Sequence, residues 1–394
     1  MANWSPPRRT LLFVAGTRPE VIKLAPLILA LEGHPQFACV VCASAQHRDL
    51  LDAAFAGFGI VPDIDLDIMR AHQTPLGVVA GVLAALEPVL ARHRPVALIV
   101  QGDTATAFAA AQAGVYARVP VVHVEAGLRS GDDNEPFPEE FHRRAIAQFA
   151  ALHFAPTPSA RAALLAEGIA ADRIHVSGNT GIDALHATAA ALARAPAVTA
   201  LLDREFAMLG PARRLLLLTI HRRENHGARL ASVIAAVRLL AQSDTLDIVV
   251  PVHPHPAVSA AVQRGLGGVA GVHLVPPLDY PAFIHLLRRA ALVLTDSGGV
   301  QEEAPAFGVP VLVLRETTER PEGIAAGVAR LVGTDTTAIV TAVRALLDDR
   351  AAHLAMARAS LPYGDGHAAE RIVAVLTREY GGKVLDKRAS GGQG

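Results

Sequence analysis

Three carboxylates stand where strand-like runs end in one half of the chain: Asp103 after "VALIVQG", Glu125 after "VPVVHV" and Glu139 in "PFPEEFHRR". A carboxylate placed directly after a buried strand, as Glu125 is, has no capping duty of its own. Asp103 with Thr104 could simply cap the next helix. Glu139 and Arg143, like Glu140 and Arg144, are four apart and could be plain helix ion pairs worth about 0.2–0.5 kcal/mol each. Yet all three come from consecutive loops, and three carboxylates around one cleft are what general acid/base work on a weakly acidic C–H requires.

The other half of the chain supplies the opposite charge. In "LTDSGGVQEEAPAFGVPVLVLRETTERPE", Ser297, Gly298 and Gly299 precede a helix, so free backbone N–H groups and the positive end of a dipole face one point, a ready diphosphate site. Glu302 and Glu303 are expected in the first turn of that helix. Their plain role there is to balance the dipole, and one could instead accept from the two hydroxyls of a ribose. Arg320 can neutralise phosphate. "LTIHRREN" brings His221, Arg222 and Arg223 to a strand end, and "PVHPHP" brings His253 and His255 to the next. The prolines and the lack of a fixed carboxylate partner speak against a metal there, and none is expected. In "GTRPE", Gly16 permits a tight turn and Pro19 suits a first helical position. Arg18 would stand over the cleft with Lys23 nearby. The motif is neither G-x-G-x-x-G nor a Walker loop, so neither NAD nor ATP is implied, and no cofactor is expected.

These residues need strands that end at one place. Short β-rich runs alternate with helical segments throughout, the pattern of parallel βα units in an α/β fold. The alternation is interrupted by an Ala-rich helical stretch, Ala184–Leu209, and then restarts. Two doubly wound domains are expected: residues 1–177 together with 366–394, and residues 178–365. The segment "YGDGHAAERIVAVL" predicts a terminal helix that crosses back onto the first domain, and "GGKVLDKRASGGQG" predicts a disordered tail. In such sheets ligands bind beyond the carboxyl ends of the strands.

Bulk properties agree. A chain of 394 residues exceeds one ordinary core and suits two. With 36 basic and 37 acidic residues, nothing points to nucleic acid or an anionic membrane as partner. Cys39 and Cys42 form a C-x-x-C inside "FACVVCAS", which reads as a strand, so inert core thiols in a reducing cytoplasm are expected. The N-terminal apolar run is too short for a secretory leader, and no uncharged run approaches the ~20 residues of a membrane span.

In order, "GTRPEVIKLAPLI", "AQHRDLLD", "GDTATAF", "HVEAGLRSGD", "PFPEE", "GNTGIDAL", "HRREN", "PVHPHP", "TDSGGVQEEAP", "RETTERPE", "VGTD" and "PYGDG" resemble the successive signatures of the non-hydrolysing UDP-N-acetylglucosamine 2-epimerases, from about Leu11 to Ile372. The resemblance implies two Rossmann-like domains facing a cleft in a GT-B-like arrangement, a homodimer, a cytoplasmic location and a role in polysaccharide biosynthesis. It implies loss of the C2 proton with elimination of UDP to 2-acetamidoglucal, then re-addition to give UDP-ManNAc. Carried over by motif, Asp103, Glu125 and Glu139 handle protons, while Arg18, Arg143 and His221 support the leaving group or order the site. Lys23, Ser297, Gly298, Gly299, Glu303 and Arg320 match the UDP contacts, and Phe283 matches an aromatic near the uracil. Gln46, His47, Arg48, His72 and His253 match a region where the family binds a second UDP-GlcNAc as activator. The chain departs from the family pattern at His142, where Asn is usual, at Leu278 near the uracil, and at His72 and Asp49. Those departures leave a modified nucleotide sugar open. A hydrolysing epimerase, a glycosyltransferase of the same architecture and a non-catalytic sugar-nucleotide sensor are the rival readings.

Overall fold

The computed structural model describes residues 8–44, 48–70, 73–132, 135–210, 212–358 and 360–382, without the side chains of Asp49 and Arg223. Gln46, His47, His72 and the tail from residue 383 lie outside the described residues.

The first sheet has seven strands: β1 (Arg9–Ala15), β2 (Phe37–Ala43), β3 (Ile64–Asp65), β4 (Ala97–Gln101), β5 (Val121–Val124), β6 (Leu152–Ala155) and β7 (Ile174–Val176). Their order is β3-β2-β1-β4-β5-β6-β7, and every pairing is parallel. β1 shows why its sequence is continuously apolar. Leu11, Phe13 and Ala15 pack one way, against Leu24 and Leu27 of the helix Arg18–Ala30. Leu12 and Val14 pack the other way, against Val78, Val82, Leu86 and Leu90 of the helix Pro75–His93. A strand with helices on both faces has no solvent side, so the period-two alternation of a half-exposed strand disappears.

The second sheet has six strands: β8 (Arg214–Thr219), β9 (Leu246–Pro251), β10 (Val272–Val275), β11 (Ala290–Thr295), β12 (Val311–Val313) and β13 (Ala329–Leu331), ordered β10-β9-β8-β11-β12-β13 and again parallel. Leu215 and Leu217 face one core cluster, Leu216 and Leu218 another. The strand order reverses between β1 and β4 in the first sheet and between β8 and β11 in the second. Flanking connections leave on opposite faces at such points, which opens a crevice beyond the carboxyl ends.

The Ala-rich stretch is not one helix. Thr180–Arg194 and Pro196–Glu205 are separate and meet at 98°. Pro196 lacks the N–H that continuation needs and drives Ala195 out of helical geometry, to φ −120° and ψ 70°. The helix Ala368–Tyr380 buries Ile372 and Leu376 in the first sheet's cluster. Its first N–H groups, at Ala368 (3.2 Å) and Ala369 (2.8 Å), donate to Asp183, which caps it from a distant part of the chain.

Cys39 and Cys42 sit on β2 as free thiols, and burial pushes both up to about 12. Thiols held protonated are poor nucleophiles and ligands. Among the described residues one helix, Pro75–His93, is long and apolar enough to cross a membrane by length and composition alone. Its stripe of Val78, Val82, Leu86 and Leu90 is spent on the first core.

Candidate active site

The two reversal points carry the candidate residues. Arg18 follows β1, Asp103 follows β4, His221 follows β8 and Ser297 follows β11. Glu125 lies one strand further, after β5, and Arg320 follows β12.

Glu125 adopts φ 64°, a left-handed conformation that non-glycine residues rarely hold. Its carboxylate accepts from Gln101 Nε2, from Lys23 Nζ and from Asn179 Nδ2 at 2.9 Å, and Arg320 lies 3.7 Å away. Burial would raise its pKa, but Lys23 and Arg320 overcome that and hold it below the usual range. Lys23 reaches across to Glu302 at 3.1 Å, so one ammonium joins a carboxylate from each sheet.

Asp103 receives Arg143 at 2.6 Å, and Arg143 also lies 3.3 Å from Glu140. Arg143 is 4% exposed, and its Nε has no hydrogen-bond partner among the described residues. A buried donor of this kind is one that a ligand oxygen could satisfy. Glu139 opens the helix Glu139–Phe149, and its charge reaches His142.

On the second sheet, Asp296 is fully buried at the end of β11. It accepts from the backbone N–H of His221 (3.1 Å) and Arg222 (2.9 Å) and from Asn225 (2.9 Å), and the His221 ring is 3.2 Å away. Burial pushes the carboxyl up, but His221 and these donors bring it down to about 2. This fixed carboxylate orients His221, whose ring stacks on His253 at 5.7 Å between centroids.

Ser297 is the N-cap of the helix Gly298–Ala306 and makes no side-chain cap bond. The two glycines differ in what they permit. A Cβ on Gly298 would lie 2.6 Å from Arg320 Cζ, so only glycine lets the guanidinium lie over the helix start. A Cβ on Gly299 would meet nothing within 4 Å. Gly299 therefore borders open space at a positive helix end.

One expectation is corrected here. Glu302 and Glu303 lie beyond the first turn, which holds no acidic residue, so neither serves the dipole there. Glu302 instead accepts from Arg320 Nε at 2.7 Å and faces Lys23. Glu303 accepts from the Tyr280 hydroxyl at 2.9 Å, and burial pushes it up to about 7 despite that bond. Arg18 lies beside Glu303 and donates to the Leu278 carbonyl at 2.6 Å, crossing between the sheets. Phe283 is buried on the helix Tyr280–Arg289 in the cluster that holds Leu278 and Tyr280.

Arg48 is drawn to Asp65 (2.7 Å) and Asp67 (2.6 Å). Of the two expected activator residues among the described residues, Arg48 and His253, it is His253 that stands beside His221. Among the described residues no group of three His, Cys, Asp or Glu could hold a metal ion.

Sequence reasoning missed several members. Glu319 is 1% exposed and binds Arg320 Nη1, Arg315 at 2.7 Å and Arg222 at 3.5 Å. Burial opposes its charge, but Arg320, Arg222, Arg315 and Arg143 hold it well below the carboxylate range. Arg315 and Glu319 stand four apart in "RETTER", but the segment is a loop, where that spacing carries no pairing signal. Glu20 accepts from Gly16 N–H (3.1 Å), Thr17 (2.8 Å) and Thr104 (2.9 Å), and so clips the loop after β1 to the loop after β4. Tyr363 donates its hydroxyl proton to the Arg320 carbonyl (3.0 Å) and accepts from Gly323 N–H (2.9 Å). No local pattern announces that contact.

Comparison with known proteins agrees with this geometry. A family model described as UDP-N-acetylglucosamine 2-epimerase matches residues 29–377. The UDP-N-acetylglucosamine 2-epimerase of Salmonella typhimurium is 46% identical over 366 residues, covering 93% of this chain and 97% of that protein. The crystal structure of the Neisseria meningitidis UDP-GlcNAc 2-epimerase bound to UDP-GlcNAc superposes with a TM-score of 0.92 at 40% identity, covering 94% of this chain and 100% of that one. The Methanocaldococcus jannaschii UDP-GlcNAc 2-epimerase in complex with UDP-GlcNAc and UDP gives 0.83 at 32% identity, with 94% and 99% covered.

Proposed function

Because the chain belongs to the UDP-N-acetylglucosamine 2-epimerase family of isomerases, we propose that it interconverts UDP-GlcNAc and UDP-ManNAc by elimination and re-addition of UDP. The supporting observation is that carboxylates and cations from the two sheets meet, Lys23 joining Glu125 to Glu302. Three carboxylates, Asp103, Glu125 and Glu139, belong to the first sheet's carboxyl edge, and Arg320, His221 and the Gly298–Gly299 helix start belong to the second's. A proton leaves C2 to one of the carboxylates. The C–H electrons form the C1–C2 double bond, and the C1–O electrons leave with UDP, giving 2-acetamidoglucal. UDP then re-adds at C1 while a proton is delivered to the other face of C2. Arg18, Lys23, Arg143, His221 and Arg320 stabilise the diphosphate as charge grows on it. Ser297, Gly298 and Gly299 donate to it, Glu303 accepts from the ribose, and Phe283 lies near the uracil.

The same reading makes the protein a cytoplasmic homodimer that serves polysaccharide biosynthesis, divided at 177/178 and 365/366. The free, protonated cysteines and the return of the helix Ala368–Tyr380 to the first sheet support parts of it. An activator role for Arg48 and His253, with Gln46, His47 and His72, belongs to this proposal too.

Proton NMR of the protein with UDP-GlcNAc in D2O tests it. The expected result is growth of UDP-ManNAc signals with deuterium entering C2 of both sugars. Accumulation of free ManNAc and UDP would replace this reading with hydrolysis, and absence of exchange would refute the substrate.

Glu303 gives a second expectation. At about 7 it is part-protonated at neutral pH, with Tyr280, Glu302, Lys23 and Arg18 around it. Ribose hydroxyls donate to the carboxylate form, so UDP binding lowers the pKa and releases a proton. Affinity should therefore rise as pH rises through about 7. Calorimetry near that pH should give an enthalpy that changes with the buffer's ionisation enthalpy, and Glu303→Gln should remove the dependence. A buffer-independent enthalpy in the unmodified protein would exclude Glu303 as the ribose acceptor.

A further inference from the structure

The turn that carries Asp103 is gripped from behind by two buried imidazoles. His123, on β5, places Nε2 2.7 Å from the Gly102 carbonyl oxygen. His142, on the helix Glu139–Phe149, places Nδ1 2.8 Å from the Asp103 carbonyl oxygen. A carbonyl only accepts, so each ring nitrogen carries the proton and donates. His123 is 0% and His142 4% exposed, so neither bond competes with water. His142 is itself held. Its ring stacks on Phe108 at 4.8 Å and 15°, and Phe108 lies on the helix that begins just after Asp103. The next residue along, Arg143, takes the Asp103 carboxylate.

Consecutive carbonyls are thus pinned on a turn where Gly102 has φ +68°. A peptide plane there would otherwise rotate at low cost, because glycine tolerates both signs of φ. The two bonds hold the peptide planes on either side of the Asp103 Cα, and with both planes fixed the direction of its Cα–Cβ bond is fixed too. We propose that His142, seconded by His123, is a positioning residue: its N–H locks the Gly102–Asp103 turn so that the Asp103 carboxylate meets C2 of the sugar in one orientation. This rests on the reading of Asp103 as a proton-handling group. The plain alternative is that His142 only fills space against Phe108, and the two differ in what a phenylalanine would do.

His142→Phe keeps a stacked ring and removes the donor. The expected result is an unchanged fold, a UDP dissociation constant within about two-fold and a little-changed KM. The kcat and the C2 exchange rate should fall by about ten-fold or more, as a small misplacement of a reacting group can cost. His142→Asn restores an N–H donor without the stack, and should recover most of the lost kcat. It also carries the test if the phenylalanine variant fails to fold. In an Asp103→Asn background, His142→Phe should add little further loss, since both act on one group. Wild-type kcat in folded His142→Phe would overturn the proposal. So would a folded His142→Asn with kcat reduced ten-fold or more. Asp103→Asn separates the two ideas. If it turns over normally, the reading of Asp103 itself falls. If it is inactive while His142→Phe is normal, only the positioning role falls.

Discussion

Glu125→Gln is expected to lower kcat by at least about 100-fold, the lower end of what a general acid/base group contributes, while UDP affinity changes only a few-fold. The reason lies in the environment of the carboxylate. Glu125 sits in a left-handed conformation at the end of β5, with donors from Lys23, Gln101 and Asn179 converging on it. Glutamine keeps the size and an oxygen for Lys23 and Asn179, but turns an amide N–H₂ toward the Gln101 donor and leaves Glu302 as the carboxylate that pairs with Lys23. On the second sheet Arg320, 3.7 Å away, loses one carboxylate neighbour and keeps Glu302 and Glu319. Steady-state kinetics with UDP-GlcNAc, beside calorimetry with UDP, separates the two effects. Wild-type kcat would remove Glu125 from the chemistry.

Arg320→Ala should have the largest effect on stability. Its guanidinium is buried against Glu302 at 2.7 Å, against Glu319, and 3.7 Å from Glu125. Removing one partner of a buried ion pair leaves uncompensated charge and costs about 3–5 kcal/mol. UDP should also bind about ten-fold to a hundred-fold more weakly, the worth of a charge-assisted bond. Glu319 gives a further readout. Its folded pKa lies below the unfolded value, so its stabilisation is present above the ordinary carboxylate range and is lost as pH falls. Without Arg320 that depression shrinks, and the variant should lose less stability on acidification than the unmodified protein. Denaturant titration at neutral and acid pH measures both. Unchanged stability together with unchanged UDP affinity would dismiss the network as an energetic unit.

Much of this was legible in the chain before any coordinates. Strand ends are marked by apolar runs that stop at Gly16, Gly102 or Asp296, and the parallel pattern alone says that those ends share an edge. The signal was weakest where partners are far apart in sequence. Nothing local says that Glu302 serves Arg320 and Lys23 rather than its own helix dipole, because those partners lie 18 and 279 residues away. Asp183 capping the helix at Ala368 is of the same kind. The break at Pro196 was readable, since proline ends helices, but the Ala-rich composition around it masked the signal. Glu319 was hidden by its loop: a charged run reads as a solvated surface until the fold buries it.

The Tyr363 contact has a consequence for how the chain can be rebuilt. Its hydroxyl bonds the Arg320 carbonyl, and its own carbonyl accepts from Asn179 N–H at 2.7 Å. Asn179 in turn bonds Glu125. The last stretch before the returning helix is therefore the keystone between a cation of one sheet and a carboxylate of the other. A circular permutant or graft that leaves out Tyr363 would keep every strand and lose the contacts by which this stretch holds Arg320 and Asn179.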